Sequence, residues 1–334
     1  MLGVVRRNGL RAYNRSRRRF PATGRWPLAL GISSLLALPL AGTYYTSLAI
    51  VIGIHTMVAV GLCLLMGYAG QVSLGHAAFY GLGAFTSGIL TVRFGVSPWL
   101  ALLAGAVGCA AIAYATGYPI FSLRGPYLAL ATLAFGIIVY VLFVEVKELT
   151  GGPQGLPGIP PLAVAGFAFD SDLKVYYLVW AACLAVLGFS HNLVRSRPGR
   201  ALRAVHGNEE AARSLGIDVD AYKVKVFVLS AVYASLAGSL YAHYVTFVSP
   251  QPFGFMFSVK LLTMVAVGGL ASVWGGIFGA TTVTLLSAFL GSFGDLDVVV
   301  FGLILIAIMV YMPQGVTRWL LDVRDRRGWT RNHR

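Results

Sequence analysis

Arg195-Ser196-Arg197-Pro198-Gly199-Arg200-Ala201-Leu202-Arg203-Ala204-Val205-His206-Gly207-Asn208-Glu209-Glu210-Ala211-Ala212-Arg213-Ser214-Leu215-Gly216 is a charged island in a sequence that is otherwise apolar enough for a membrane. Across 334 residues, 57% are hydrophobic and only 11% are charged. A soluble domain carries roughly 25% charged residues. Apolar runs of about 20 residues match the thickness of a hydrocarbon core and read as transmembrane helices. The fold class that follows is all-α: a polytopic integral membrane protein. Its 40 glycines suit close helix packing in a bilayer.

The net charge of +14 raises nucleic acid as a partner, and the distribution of charge argues against it. Of 26 Lys and Arg, eight lie in residues 1–25, seven in 195–225 and six in 318–334. Each cluster flanks apolar spans, the pattern of cytoplasmic loops under the positive-inside rule. Ser16-Arg17-Arg18-Arg19-Phe20 superficially matches a twin-arginine signal. Many further spans follow it, so it reads as the basic flank of an uncleaved first helix. Cys63, Cys109 and Cys183 all fall in apolar runs without metal-ligand spacing.

The predicted spans are 26–43, 46–67, 70–92, 97–121, 126–146, 174–194, 224–247, 259–274, 277–292 and 295–314. That makes about ten helices, or eight if Gly-rich segments only dip into the membrane. Residues 1–25 form a basic cytoplasmic segment, 26–314 the transmembrane domain and 315–334 a basic cytoplasmic tail. Both termini and the 195–223 loop are then cytoplasmic, and the 147–173 loop is external. The Pro- and Gly-rich run from Leu149 to Pro161 opposes helix and favours turns. It reads either as a linker or as a docking surface for an external partner. Two Gly-rich segments, Gly67–Gly83 and Val267–Gly279, interrupt spans in the two halves of the chain. Such a pair points to a duplicated transporter core.

The acidic residues place the source of energy elsewhere. Intramembrane carboxylates are the usual ion relays, and on these spans none of the twelve acids lies at mid-membrane. No Gly-Lys dipeptide occurs, which excludes a Walker A phosphate loop. A pump built on this chain needs another subunit to hydrolyse ATP. The charged island reads either as a solvated amphipathic loop helix or as the handle for that contact. Asn208 is a good N-cap, Glu209 and Glu210 fill the first turn, Arg213 the last, and Gly216 can take the left-handed terminating conformation. The result is a helix of about two turns, too short to be stable alone.

Glu210-Ala211-Ala212 followed by Gly216 resembles the Glu-Ala-Ala-x-x-x-Gly core of ABC importer permeases. The Ile-x-Leu-Pro continuation of maltose-type permeases is absent, and Val226-Phe227-Val228-Leu229 stands there. The run Gly67 to Phe79, the turn Leu123-Arg124-Gly125-Pro126-Tyr127, the Thr150–Pro160 loop and Gly199–Gly216 together resemble the branched-chain amino acid permeases, in particular the LivM-type subunit. The resemblance covers roughly residues 45–315. It implies a transport subunit rather than an enzyme, in a bacterial inner-membrane importer with a second permease, ATPase subunits that bind ATP and Mg, and an external binding protein. It also makes Asn208, Glu209, Glu210, Ala211, Ala212, Arg213 and Gly216 the helix that couples to the ATPase.

Gln71, Ser73 and His76 are polar groups at membrane depth, so each needs a partner. They either stabilise a broken helix or line the substrate path. Tyr127, Thr132 and Phe135 either border that path or pack a helix interface. Lys260 can snorkel from the outer end of its span. Leucine, isoleucine and valine are the substrates the resemblance implies, with other amino acids, amides or urea as alternatives. Rival readings are a stand-alone facilitator, which needs no partner at the island, and a membrane enzyme, for which the spans supply no convergent catalytic set.

Overall fold

The computed structural model describes residues 42–123, 125–164, 167–270, 272–290 and 302. The expected segments 1–25 and 315–334, and the turn at Arg124, lie outside the described residues. So do the expected spans 26–43 and 295–314, apart from residues 42, 43 and 302. Met1–Tyr45 and Thr46–Arg334 cluster as separate units, and the packing below is that of the second.

Helix α1 (Thr43–Cys63) is apolar all round and runs on as a π-helical turn, Leu64–Tyr68. A helix without a polar face belongs in the interior of a bundle, and 89% of its most apolar window is buried. After an irregular stretch, α2 (His76–Phe94) ends at Gly95 in the left-handed conformation. Next come α3 (Pro98–Phe121) and α4 (Pro126–Glu145), each with proline in its first turn, where the missing N–H costs nothing. Only 22% of the α4 window is buried, which puts α4 at the periphery. Leu103, Val107, Leu130 and Ile138 on α3 and α4 are exposed, as surfaces facing lipid or another membrane subunit are.

Between α4 and α6 (Asp172–Arg195) lies the Pro- and Gly-rich stretch. It holds more regular structure than its composition suggests: a one-turn helix α5 (Lys147–Thr150) and a 3-10 turn (Gly152–Gln154). Strand β1 (Leu156–Pro157) pairs with β4 (Phe247–Val248), and β2 (Ala163–Val164) pairs with β3 (Phe167–Ala168), both antiparallel. Helices α7 (Arg197–Gly207) and α8 (Glu209–Ser214) precede α9 (Val219–Val245). Then α10 (Phe255–Gly268) and α11 (Val273–Leu290) follow.

Among the described residues, α1, α3, α4, α6, α9 and α11 are the six helices long and apolar enough to cross a membrane. Three expected boundaries move. The span expected at 70–92 becomes helical only at His76, the one at 259–274 becomes the 14-residue α10, and the one at 224–247 starts earlier, at Val219. The last shift follows from Asp218, whose side chain accepts from Ala221 N at 3.1 Å and caps the helix. The island holds two helices where one was expected.

Helices α2 and α9 pack at backbone contact. A Cβ on Gly83 would stand 2.2 Å from Ser235 O, and one on Gly238 would stand 1.9 Å from Tyr80 O. Ser239 Oγ donates to Gly83 O at 3.0 Å across the same seam. Its polar counterpart is the pair Ser87 Oγ and His243 Nε2, 2.8 Å apart, with His243 Nδ1 donating to Pro160 O at 2.6 Å. That last bond and the β1–β4 pairing fasten the 147–173 segment to the end of α9.

Gly83→Val and Gly238→Val are each expected to lower stability by about 1–3 kcal/mol or more through forced separation of α2 and α9. Gly105→Ala is the control, because its Cβ would stand no closer than 3.5 Å to any neighbour. Thermal unfolding in detergent checks this, and equal melting of the three variants would refute the close-packed seam.

Candidate functional site

The 195–219 segment carries its own small core. Val205, Ala212 and Val219 are buried together, with Ala204 and Ile217 packed against them. This explains how the six-residue α8 is held, since so short a helix has no independent stability. Asn208 Oδ1 accepts from Ala211 N at 3.0 Å at one end. At the other, Gly216 takes φ 78° and Ile217 N donates back to Ala212 O at 3.1 Å, the bonding of a left-handed helix stop. Arg213 Nη2 lies 2.7 and 2.8 Å from the two carboxylate oxygens of Asp220. Donation to that carboxylate raises the guanidinium pKa above its ordinary value.

The residues of α8 divide between two faces. Ala212 is buried and Glu209 is half-buried, whereas Asn208, Glu210, Ala211, Arg213 and Gly216 are exposed. Leu215, at the end of the helix, is 80% exposed. A large apolar side chain between a charged turn and a terminating glycine is a signal already present in the sequence.

Glu209 reaches the membrane domain. Its Oε1 lies 2.5 Å from Lys223 Nζ, and Gln71 Nε2 donates to the same oxygen at 3.2 Å and to Ala69 O at 3.0 Å. Lys223 sits in α9 with its side chain only 3% exposed. From sequence it lies just before the expected span 224–247, but α9 starts at Val219 and buries it, and a buried cation needs an internal partner. Cavities of about 440 and 520 Å³ flank this ion pair, and Glu209 and Lys223 line both.

Gln71 opens the irregular stretch between α1 and α2. Gly70 turns the chain at φ 71°, so close to the His206 ring that a Cβ would stand 2.8 Å from Nδ1. Gln71 N donates to Leu65 O at 3.1 Å. His76 then knots the stretch: Nδ1 is 3.0 Å from Ser73 Oγ, and Nε2 is 2.6 Å from Ser230 Oγ on α9. Leu74 N donates to Thr132 Oγ1 on α4 at 3.0 Å, and Ala77 N to Ser258 Oγ on α10 at 3.3 Å. The break is therefore a junction of α2, α4, α9 and α10. Gln71, Ser73, His76 and Thr132 meet there. Tyr127 does not, being 70% exposed on another face of α4. Phe135 lies near the junction, its ring centroid 5.1 Å from that of Phe79.

The second Gly-rich segment is a neighbour of the first. Helix α10 stops at Gly268, and Gly269 has φ 106°. Cys63 Sγ, one residue before the π turn, lies 3.2 and 3.3 Å from the carbonyl oxygens of Leu270 and Ser272. A Cβ on Gly276 would stand 3.2 Å from Val60 N. His55 Nδ1 is 3.0 Å from Thr284 Oγ1, so this histidine bridges α1 and α11. Lys260 is half-buried on α10.

Removing one partner from the buried His76–Ser230 bond leaves the other unsatisfied, a penalty of about 1–3 kcal/mol. Ser230→Ala should lower the melting temperature in detergent, and Ser230→Ala combined with His76→Phe should lower it less than the sum of the two single changes. Strict additivity would show that the two side chains do not depend on each other.

The family described as branched-chain amino acid transport system / permease component matches residues 44–309. The chain is 33% identical over 287 residues to the high-affinity branched-chain amino acid transport system permease protein LivM of Salmonella typhimurium, covering 79% of this chain and 67% of the relative. Identity to LivM of Escherichia coli is 31% over 315 residues, 86% of this chain and 74% of the relative. To the permease LivH of Escherichia coli it is 26% over 281 residues, 78% and 90% of the two chains. No solved structure matches the chain significantly. With a family match that spans most of its length and includes both Gly-rich breaks and α8, the chain belongs to the branched-chain amino acid transport system permease components.

Proposed function

We propose that the chain is the LivM-type membrane subunit of an ABC importer for leucine, isoleucine and valine. Family membership makes it a transport subunit, with ATP hydrolysis residing in a separate chain. The observation that carries the coupling role is α8: a capped helix supported from behind, presenting Glu210, Ala211, Arg213 and an 80% exposed Leu215 outward. A protruding apolar side chain ringed by charge is the anatomy of a docking point. Its partner in this reading is the ATPase, which holds ATP and Mg.

The second permease is a different chain in this reading. Relatives of both LivM and LivH type match, and the LivM type does so at higher identity. Exposed apolar faces on α3 and α4 supply surface for such a neighbour and for lipid. The positive-inside rule places both termini and α7–α8 on the cytoplasmic side of the inner membrane, with about ten crossings in all and a two-half duplication behind the paired breaks. The 147–173 segment then faces the external binding protein. Substrate passes by the junction of Gln71, Ser73, His76 and Thr132 as the bundle alternates between its two open forms.

Leu215→Asp, and separately Glu210→Arg with Gly216→Val, should weaken ATPase association about tenfold or more, the size of a hot-spot loss, and reduce ATP-driven leucine uptake in parallel. Undiminished co-purification and uptake in both would sink the docking assignment. Ser73→Phe and His76→Leu should lower uptake counted per assembled importer. Full uptake in both variants would remove the junction from the path.

A further inference from the structure

We propose that Glu209, held between Lys223 and Gln71, is the positioning residue through which movement of α8 reaches the interrupted helix. The inference rests on the reading that α8 is where the ATPase docks, and adds the route by which the docked helix acts. The small core behind α8 is built from Ala204, Val205, Ala212, Ile217 and Val219. It ties the segment to itself and to the foot of α9, while the ring of His206 on α7 lies against Gly70. The side chain of α8 that reaches the break is Glu209, by the 3.2 Å bond from Gln71 Nε2.

The linkage has the two properties a transmitter needs. It is hard to break, because Lys223 is 2% exposed and stripping a buried cation of its partner is strongly unfavourable. It also borders open space, because Glu209 and Lys223 both line two cavities of about 440 and 520 Å³. Beyond Gln71 little slack remains. Ser73 and His76 are bonded to each other, His76 is bonded to Ser230 of α9, and Leu74 is bonded to Thr132 of α4. A displaced Glu209 therefore pulls on the chain that leads into the junction.

The test uses the complete importer in liposomes and reads radiolabelled leucine imported per ATP hydrolysed. Counted over importer that retains its ATPase, leucine imported per ATP should fall about 5- to 150-fold in Gln71→Met and in Glu209→Gln, the usual span of coupling between sites. Reversing the pair with Glu209→Lys and Lys223→Glu should restore much of the ratio, since the Gln71 amide can accept from a lysine as well as donate to a glutamate. A wild-type ratio in both Gln71→Met and Glu209→Gln overturns the proposal. So does a loss of ratio explained wholly by loss of bound ATPase, which would make Glu209 a support for α8 alone. Should the reversed pair fail to fold, the two milder variants still decide. A wild-type chain that retains no ATPase overturns the docking reading instead.

Discussion

A backbone that leaves the helical state among packed helices must find partners for its own N–H and C=O groups wherever burial takes water from them. The stretch 69–75 meets that demand with neighbours from several helices. Leu65 and Thr132 accept its backbone N–H groups, and Ser73 closes on His76. Each of those neighbours takes up a group that the break would otherwise leave unsatisfied. The hydroxyls of Thr132, Ser230 and Ser258 sit on three different helices, and all three are spent on this junction. The arrangement of the bundle and the shape of the break are one solution to one constraint.

Glycine supplies the closeness that the solution needs. Where α2 meets α9, carbonyl oxygens occupy the volume of absent side chains at Gly83 and Gly238. Helices α10 and α11 meet in the same way, with Gly268 and Gly279 against the carbonyls of Gly275 and Met264. Without a hydrophobic drive between helices in lipid, such contact is the main source of cohesion. The exterior follows the reverse rule and keeps its apolar side chains outward.

Much of this was legible in the sequence. Hydropathy fixed the all-α membrane class, and the limits of α3, α4 and α6 were read to within a few residues. The cap at Asn208 and the stop at Gly216 followed from residue chemistry. Helix α7 escaped notice because Pro198 and Gly199 look like a turn. In the fold Pro198 opens the helix, and Gly199 lies where a Cβ would stand 2.3 Å from Val194 O. Lys223 escaped because its importance lies in a partner fourteen residues earlier in sequence. Tyr127 and Thr132 face different ways on α4, since five residues of helix turn the chain to a direction about 140° away.

Helix α9 links features that are far apart in the chain. Near one end, Lys223 holds Glu209, and beyond the other, Phe247 and Val248 pair with Leu156 and Pro157 while His243 holds Pro160. At about 1.5 Å per residue, its 27 residues span roughly 40 Å. The two ends of the molecule thus share one rigid strut. By thermodynamic reciprocity, whatever favours one setting of the strut at its foot favours the same setting at its head. In the proposed importer, the loop and the charged island would then report on one and the same displacement of α9.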